Sequence, residues 1–202
     1  DPEAALERRC SNRRFYDGRP VPEEVSAELR AGCPEWRGVR THFLTDPAGR
    51  RLCGDADARA TALMYIQPGM RLGICANIRF DAPAREEVAE GLSLASLELS
   101  TIECHAMRLM FKSPNWLLRY GGGLKALEGH VRKLHKSASG LCLISAPDHS
   151  GSTDLLVGRA MQRAWLALTE RGLAAQPMMS LMVLDGVLRL GEASLVEALG
   201  RE

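Results

Sequence analysis

Residues 8–25, RRCSNRRFYDGRPVPEEV, place a basic turn between two helical patterns. The first seven of them hold four Arg, one Ser and one Asn. A phosphate group needs several donors converging on it. Arg offers a planar bidentate fork, and Ser and Asn add neutral donors. In an extended segment the alternate residues Arg9, Ser11 and Arg13 face one side. The competing reading is a solvated basic turn that closes the first helix, where Arg also suits the C-terminal dipole. Asp17-Gly18 is a turn signal. Pro22, Glu23 and Glu24 then open a helix over Val21–Ala31, with Val25 and Leu29 on one face.

Working outward, residues 2–9 read as a short helix with Pro near its start. Val39–Leu44 mixes β-branched, aromatic and polar residues and reads as a strand closed by Asp46-Pro47. Residues 48–63, rich in Ala and Arg, suggest a helix that Pro68-Gly69 breaks, and Met70–Phe80 a second one. Residues 81–97 look irregular, with a short helix around Arg85–Glu90. Leu97–Tyr120 reads as one helix broken near Pro114, and Leu124–Lys136 as a basic amphipathic helix. Gly140–Ala146 (GLCLISA) suits a buried strand. Asp154–Arg171 is the clearest helix. Ser152 or Thr153 can cap it, Gly172 can end it, and Val157, Met161, Trp165 and Leu168 form its apolar stripe. Gln176–Val183 reads as an extended apolar segment started by Pro177, with a helix from Leu184 onward. The order predicts an α+β fold with a central, mainly antiparallel sheet surrounded by helices.

The 202 residues fit a single domain, 1–202, with 81–136 read as a helical insertion. A start at Asp1 directly into a helical pattern reads as a piece of a longer polypeptide. With 26 basic against 25 acidic residues, no global field attracts nucleic acid or an anionic membrane. No apolar run approaches a membrane span. The six Cys have no C-x-x-C pair and no signal peptide accompanies them, which favours reduced thiols and a cytoplasmic setting.

The stretch RRCSNRRFYDGRPVPEEV resembles the opening of nitroreductase-family proteins. That resemblance implies that Arg9, Ser11 and Arg13 bind the phosphate and ribityl arm of FMN, with Cys10 and Asn12 as backbone neighbours. A second stretch, GRAMQRAWLALTERGLAAQPMMSL (158–181), is similar to the family's long helix and the segment beside the flavin ring. By that likeness Pro177, Met178, Met179 and Ser180 line the ring, with the Met179 amide near flavin N5. The resemblance further implies a bacterial homodimeric flavoprotein that passes hydride from NADH or NADPH (NADP as the oxidised form) to a small-molecule electron acceptor, with no side chain as obligatory acid or base. The middle section, 48–136, departs from the standard pattern. Its style resembles nitroreductase-like domains fused behind ThiF-like adenylating domains. Ala31–Gly38 lacks the Asn and Gln with which the family touches the flavin. The competing reading is therefore a degenerate domain with a structural, dimerisation or flavin-sequestering role.

Other clusters carry less. His130 and His135, five positions apart, lie about 140° apart on a helix and do not share a metal easily. Glu103 and His105 also diverge on a helix. Gly121–Gly123 lacks the Lys-Ser/Thr of a phosphate loop. Asp148-His149-Ser150 has triad residue types at consecutive positions, where the side chains do not converge. Lys125–Lys136 is basic without interleaved aromatics, which argues against nucleic acid.

Overall fold

The computed structural model describes residues 2–80, 91–93 and 95–190. In chain order the elements are α1 (Pro2–Arg8), α2 (Glu23–Gly32), β1 (Arg40–Leu44), α3 (Pro47–Ile66), α4 (Pro68–Ala76), β2 (Ile78–Arg79), β3 (Leu92–Ser93), α5 (Thr101–Lys112), α6 (Asn115–Tyr120), α7 (Gly123–Ser137), β4 (Leu141–Ser145), α8 (Gly151–Glu170) and α9 (Ser180–Leu190). The fold is α+β and mostly helical. The strands form an antiparallel pair, β1–β4, and a short parallel pair, β2–β3. The helix expected around Arg85–Glu90 lies outside the described residues. No helix among the described residues is long and apolar enough to cross a membrane. The chain divides into two compact units, Asp1–Leu52 with His135–Pro177, and Cys53–Leu134 with Met178–Glu202.

In the first unit β1 and β4 pair from Arg40 opposite Ser145 to Leu44 opposite Leu141. Helix α8 packs against α1, α2 and both strands. Its buried face centres on Ala164 and Trp165, which meet a core holding Ala5, Leu29, Cys33 and Val39. Helix α2 forms because Glu23 and Glu24 sit at its positive end and because Ser26 and Leu29, one turn apart, are its buried face. The Arg171 guanidinium reaches Glu28 at 3.0 Å, joining the end of α8 to α2. That pair is exposed enough to contribute at most about 1 kcal/mol.

Helix α8 shows which of several candidate signals is used. The cap is Ser150, two residues earlier than the sequence suggests, and its Oγ accepts from the Thr153 amide at 3.3 Å. Asp148 selects it by accepting from the Ser150 amide at 2.9 Å and the Ser150 hydroxyl at 2.8 Å. At the other end Gly172 takes φ +70°. The Leu173 amide then returns to the Leu168 carbonyl at 3.0 Å, and the Gly172 amide to Thr169 at 3.0 Å. Only a residue without Cβ enters this left-handed closing turn cheaply.

The Asp148 carboxyl is held down to about 2 by hydrogen bonds from the Thr153 side chain and then from Ser150. Its pKa in the unfolded chain is about 3.9. Because the folded value is the lower one, this contribution to stability is complete above that pH and is lost as pH falls toward the folded value. The Asp148→Asn variant is expected to lose this acid-dependent component. Unfolding midpoints followed across that window check it, and equal slopes for variant and wild type reject it.

β4 departs from the sequence reading. It was expected as a buried strand, yet Cys142 and Leu143 are exposed. Among the described residues only β1 hydrogen-bonds to it, and a two-stranded ribbon has one covered face. Between α2 and β1 the chain turns tightly. Trp36 and Val39 exchange both main-chain hydrogen bonds, at 3.1 and 3.0 Å. The two central residues have positive φ, Arg37 at 51° and Gly38 at 79°. This is a type I′ hairpin turn, whose twist matches that of paired strands.

In the second unit the core is built from small residues of α3, Ala58, Ala60 and Ala62, with Leu118, Val131 and Leu134. Arg71 of α4 is buried and donates to the Tyr65 carbonyl at 3.1 Å and to Asn115 at 2.8 Å. Tyr65, Phe111 and Phe80 form a ring cluster with centroid separations of 5.7 and 5.9 Å. Met70–Phe80, expected as a helix throughout, turns from α4 into β2 after Asn77. The break near Pro114 is present, with Pro114 as the N-cap of α6. Helix α5 opens on a capping box in which Ser100 and Glu103 satisfy each other's amides. The segment expected to run extended to Val183 instead becomes α9 at Ser180. A continuous apolar run carries no period, and Pro177 constrains only its own φ and the residue before it.

Candidate functional site

The chain after α1 runs as an irregular segment stitched to its own unit at several points. Ser11 forms a parallel bridge with Ala175, and the Asn12 amide donates to the Ala175 carbonyl at 3.0 Å. The Tyr16 amide donates to Ser137 Oγ at 3.0 Å. The Ser139 hydroxyl donates to the Arg19 carbonyl. Asn12 closes a local turn, its carboxamide bonding the Arg14 amide at 3.3 Å and the Arg14 carbonyl at 3.1 Å. The Tyr16 phenol sits against the Asn12 side chain and the Gln176 main chain, and burial raises its pKa above the ordinary value. Two stretches far apart in sequence, 9–16 and 175–177, thus lie side by side.

Within this arrangement Arg9 is half-buried and lies over α8. Its Cζ is 4.4 Å from the centroid of the Trp165 ring. Arg9 Nε, Trp165 Nε1 and Gln176 Oε1 are all buried and have no hydrogen-bond partner. Two are donors and one is an acceptor. Leaving such a group unmet costs about 1–3 kcal/mol. Arg9 and Trp165 are stacked on each other, so their two unmet nitrogens mark a place where polar groups from outside the chain are energetically welcome.

The nine residues singled out from the sequence divide between the units. Arg9, Cys10, Ser11, Asn12, Arg13 and Pro177 belong to the first, where the Ser11–Ala175 bridge brings the basic segment beside Pro177. Met178, Met179 and Ser180 belong to the second. There Ser180 is the first residue of α9 and its Oγ accepts from the Thr61 hydroxyl at 2.8 Å. Met179 is 45% exposed and its carbonyl takes the Val183 amide at 2.9 Å, as the first turn of α9 requires. Cys10 is exposed, and Ser11, Asn12 and Arg13 are half-buried.

Sequence reasoning missed the buried, unmet indole nitrogen of Trp165 beneath Arg9. Trp165 was read as one element of an apolar stripe, yet an indole carries an N–H donor that an apolar core leaves unmet, and that was a usable signal. Gln176 stands directly before Pro177 in an otherwise apolar stretch. In the Ala31–Gly38 region the hairpin turn carries Trp36, whose ring meets two guanidinium groups. Arg37 Cζ and Arg159 Cζ lie 5.4 and 4.8 Å from its ring centroid. All six cysteines are free.

No protein-family model, curated protein or solved structure matches the chain.

Proposed function

We propose that this chain is an FMN-binding domain of the nitroreductase type, with an oxidoreductase activity that uses NADH or NADPH. The observation that carries the reading is the juxtaposition of the Arg9–Arg13 segment with Ala175–Pro177, together with the unpartnered buried atoms of Arg9, Trp165 and Gln176. The residues fit the group. Arg9, Ser11 and Arg13 would hold its phosphate and ribityl arm, with Cys10 and Asn12 supplying main chain between them. Pro177, Met178, Met179 and Ser180 would stand toward its ring. When bound, FMN supplies the hydride-transfer chemistry between the nicotinamide and a small-molecule acceptor.

The protein's own part is binding and orientation. Arg9 and Arg13 contribute positive charge to the phosphate, and Ser11 contributes a neutral donor. The Ser11–Ala175 bridge fixes the register of the grip against Ala175–Pro177. A homodimer and a cytoplasmic setting belong to the same proposal, as does an adenylating domain elsewhere in a longer polypeptide.

Titration of the purified protein with FMN, followed by absorbance and by quenching of flavin fluorescence, tests the reading. Saturable one-to-one uptake is expected, with bleaching on addition of NADH or NADPH. A protein that takes up no added FMN rejects it and leaves the structural, non-catalytic alternative that the departures in Ala31–Gly38 motivate. A yellow protein that neither nucleotide bleaches keeps flavin binding and removes the reductase activity.

A further inference from the structure

We infer that Trp165 is a positioning residue of the site, a ring platform that fixes the Arg9 guanidinium for the phosphate of a flavin nucleotide. The inference rests on the proposed flavin reading. Its own warrant is geometric. Trp165 is 7% exposed, lies in the C-terminal half of a long helix, and holds its place by packing in the core of its unit. The hydroxyl of Thr169, one turn on, returns to the Trp165 carbonyl at 2.9 Å, so the turn that carries the ring is closed locally.

Over this fixed ring lies Arg9, on an irregular segment just past the end of α1. An arginine on such a segment has four rotatable side-chain bonds to restrain before it can grip a ligand. A guanidinium lying on an indole face keeps its in-plane N–H groups available while losing most of that freedom. The aromatic face takes the place of a carboxylate. A carboxylate would also position Arg9, but it would cancel the charge that an anion needs. Arg9 Nε is buried and without a partner, so the near end of the fork is withdrawn from water in the chain alone.

Positioning of this kind acts on the phosphate and not on the ring of the ligand. Riboflavin carries the same ring and ribityl chain as FMN and lacks the phosphate, so the two ligands separate the effects. Dissociation constants for FMN and riboflavin are measured for the wild type, Trp165→Phe, Trp165→Leu and Trp165→Met. Trp165→Phe, which keeps a ring, is expected to hold the FMN-to-riboflavin preference within about threefold of the wild type. Trp165→Leu is expected to reduce that preference roughly tenfold, the size of one cation–π contact, while riboflavin affinity stays unchanged. Trp165→Met fills the space with an unbranched chain and carries the test if the Leu variant does not fold. A preference unchanged in the Leu or Met variant overturns the positioning role and leaves the flavin reading standing. FMN and riboflavin affinities that fall together overturn it as well, because that is the signature of general loss of structure. A wild type that binds FMN no more tightly than riboflavin also overturns it, and one that binds neither overturns the flavin reading itself.

Discussion

FMN affinity is expected to fall about 10- to 150-fold when Arg9 is replaced by Ala, because a hydrogen-bonded charge contributes about 1.5–3 kcal/mol. Arg9 is the arginine of the basic segment that lies over the Trp165 ring. It lies 4.4 Å from the Trp165 ring centroid, and its Nε is buried with no partner in the chain. Removing the side chain also removes an unsatisfied buried group, so fold stability is expected to change little. Loss of affinity therefore reads as loss of a ligand contact. Arg9→Lys keeps the charge without the fork and is expected to fall between the two, since Lys is a point donor that does not engage a phosphate through two parallel bonds. Fluorescence titration at fixed ionic strength measures all three proteins. An Arg9→Ala variant that binds FMN as tightly as the wild type sinks the phosphate grip, whatever the other residues do.

The second large effect is on stability. Leu29→Ala is expected to cost about 2–5 kcal/mol, the range for truncating a fully buried Leu. Leu29 is 3% exposed and lies on the face of α2 in a unit where α2 packs against both α8 and β1. Helix and strand are both held in place there, so the space left by the side chain collapses poorly. Urea unfolding followed by circular dichroism checks the value, through a lower midpoint at unchanged slope. A cost below about 1 kcal/mol means that the site relaxes to fill itself, contrary to the packing described. The exposed Arg171–Glu28 pair beside it offers the contrast. Arg171→Ala removes that contact and belongs with the much smaller surface effects.

Much of the helical framework is legible in the sequence alone. Helices α1, α2, α7 and α8 lie within a few residues of where Pro2, Glu23, the basic stripe of 124–136 and Gly172 put them. Local physics decides these ends. A proline tolerates only a first turn, carboxylates seek a helix N-terminus, and a glycine alone closes a left-handed turn cheaply. The cap of α8 was misplaced by two residues because Ser150, Ser152 and Thr153 compete and only the Asp148 contact chooses among them. The exposure of Cys142 and Leu143 could not be read from GLCLISA, since an apolar run does not say how many neighbours a strand will have. The start of α9 at Ser180 was hidden in the same way.

The candidate site divides along the same line. By itself the sequence determined the chemistry of the basic segment: Arg9, Ser11 and Arg13 supply forked and neutral donors in a chain whose overall charge is close to balanced. It could also place a Gly-terminated helix before Gln176-Pro177. Only the tertiary structure decided that Ser11 bridges Ala175, that Arg9 lies on the Trp165 ring, and that the side-chain oxygen of Gln176 is buried and unmet. The physical reason is separation. Residue type and local periodicity act over a few positions, whereas these contacts join residues more than 150 apart in sequence, and packing of α8 against α1 and the strands is what brings them within reach.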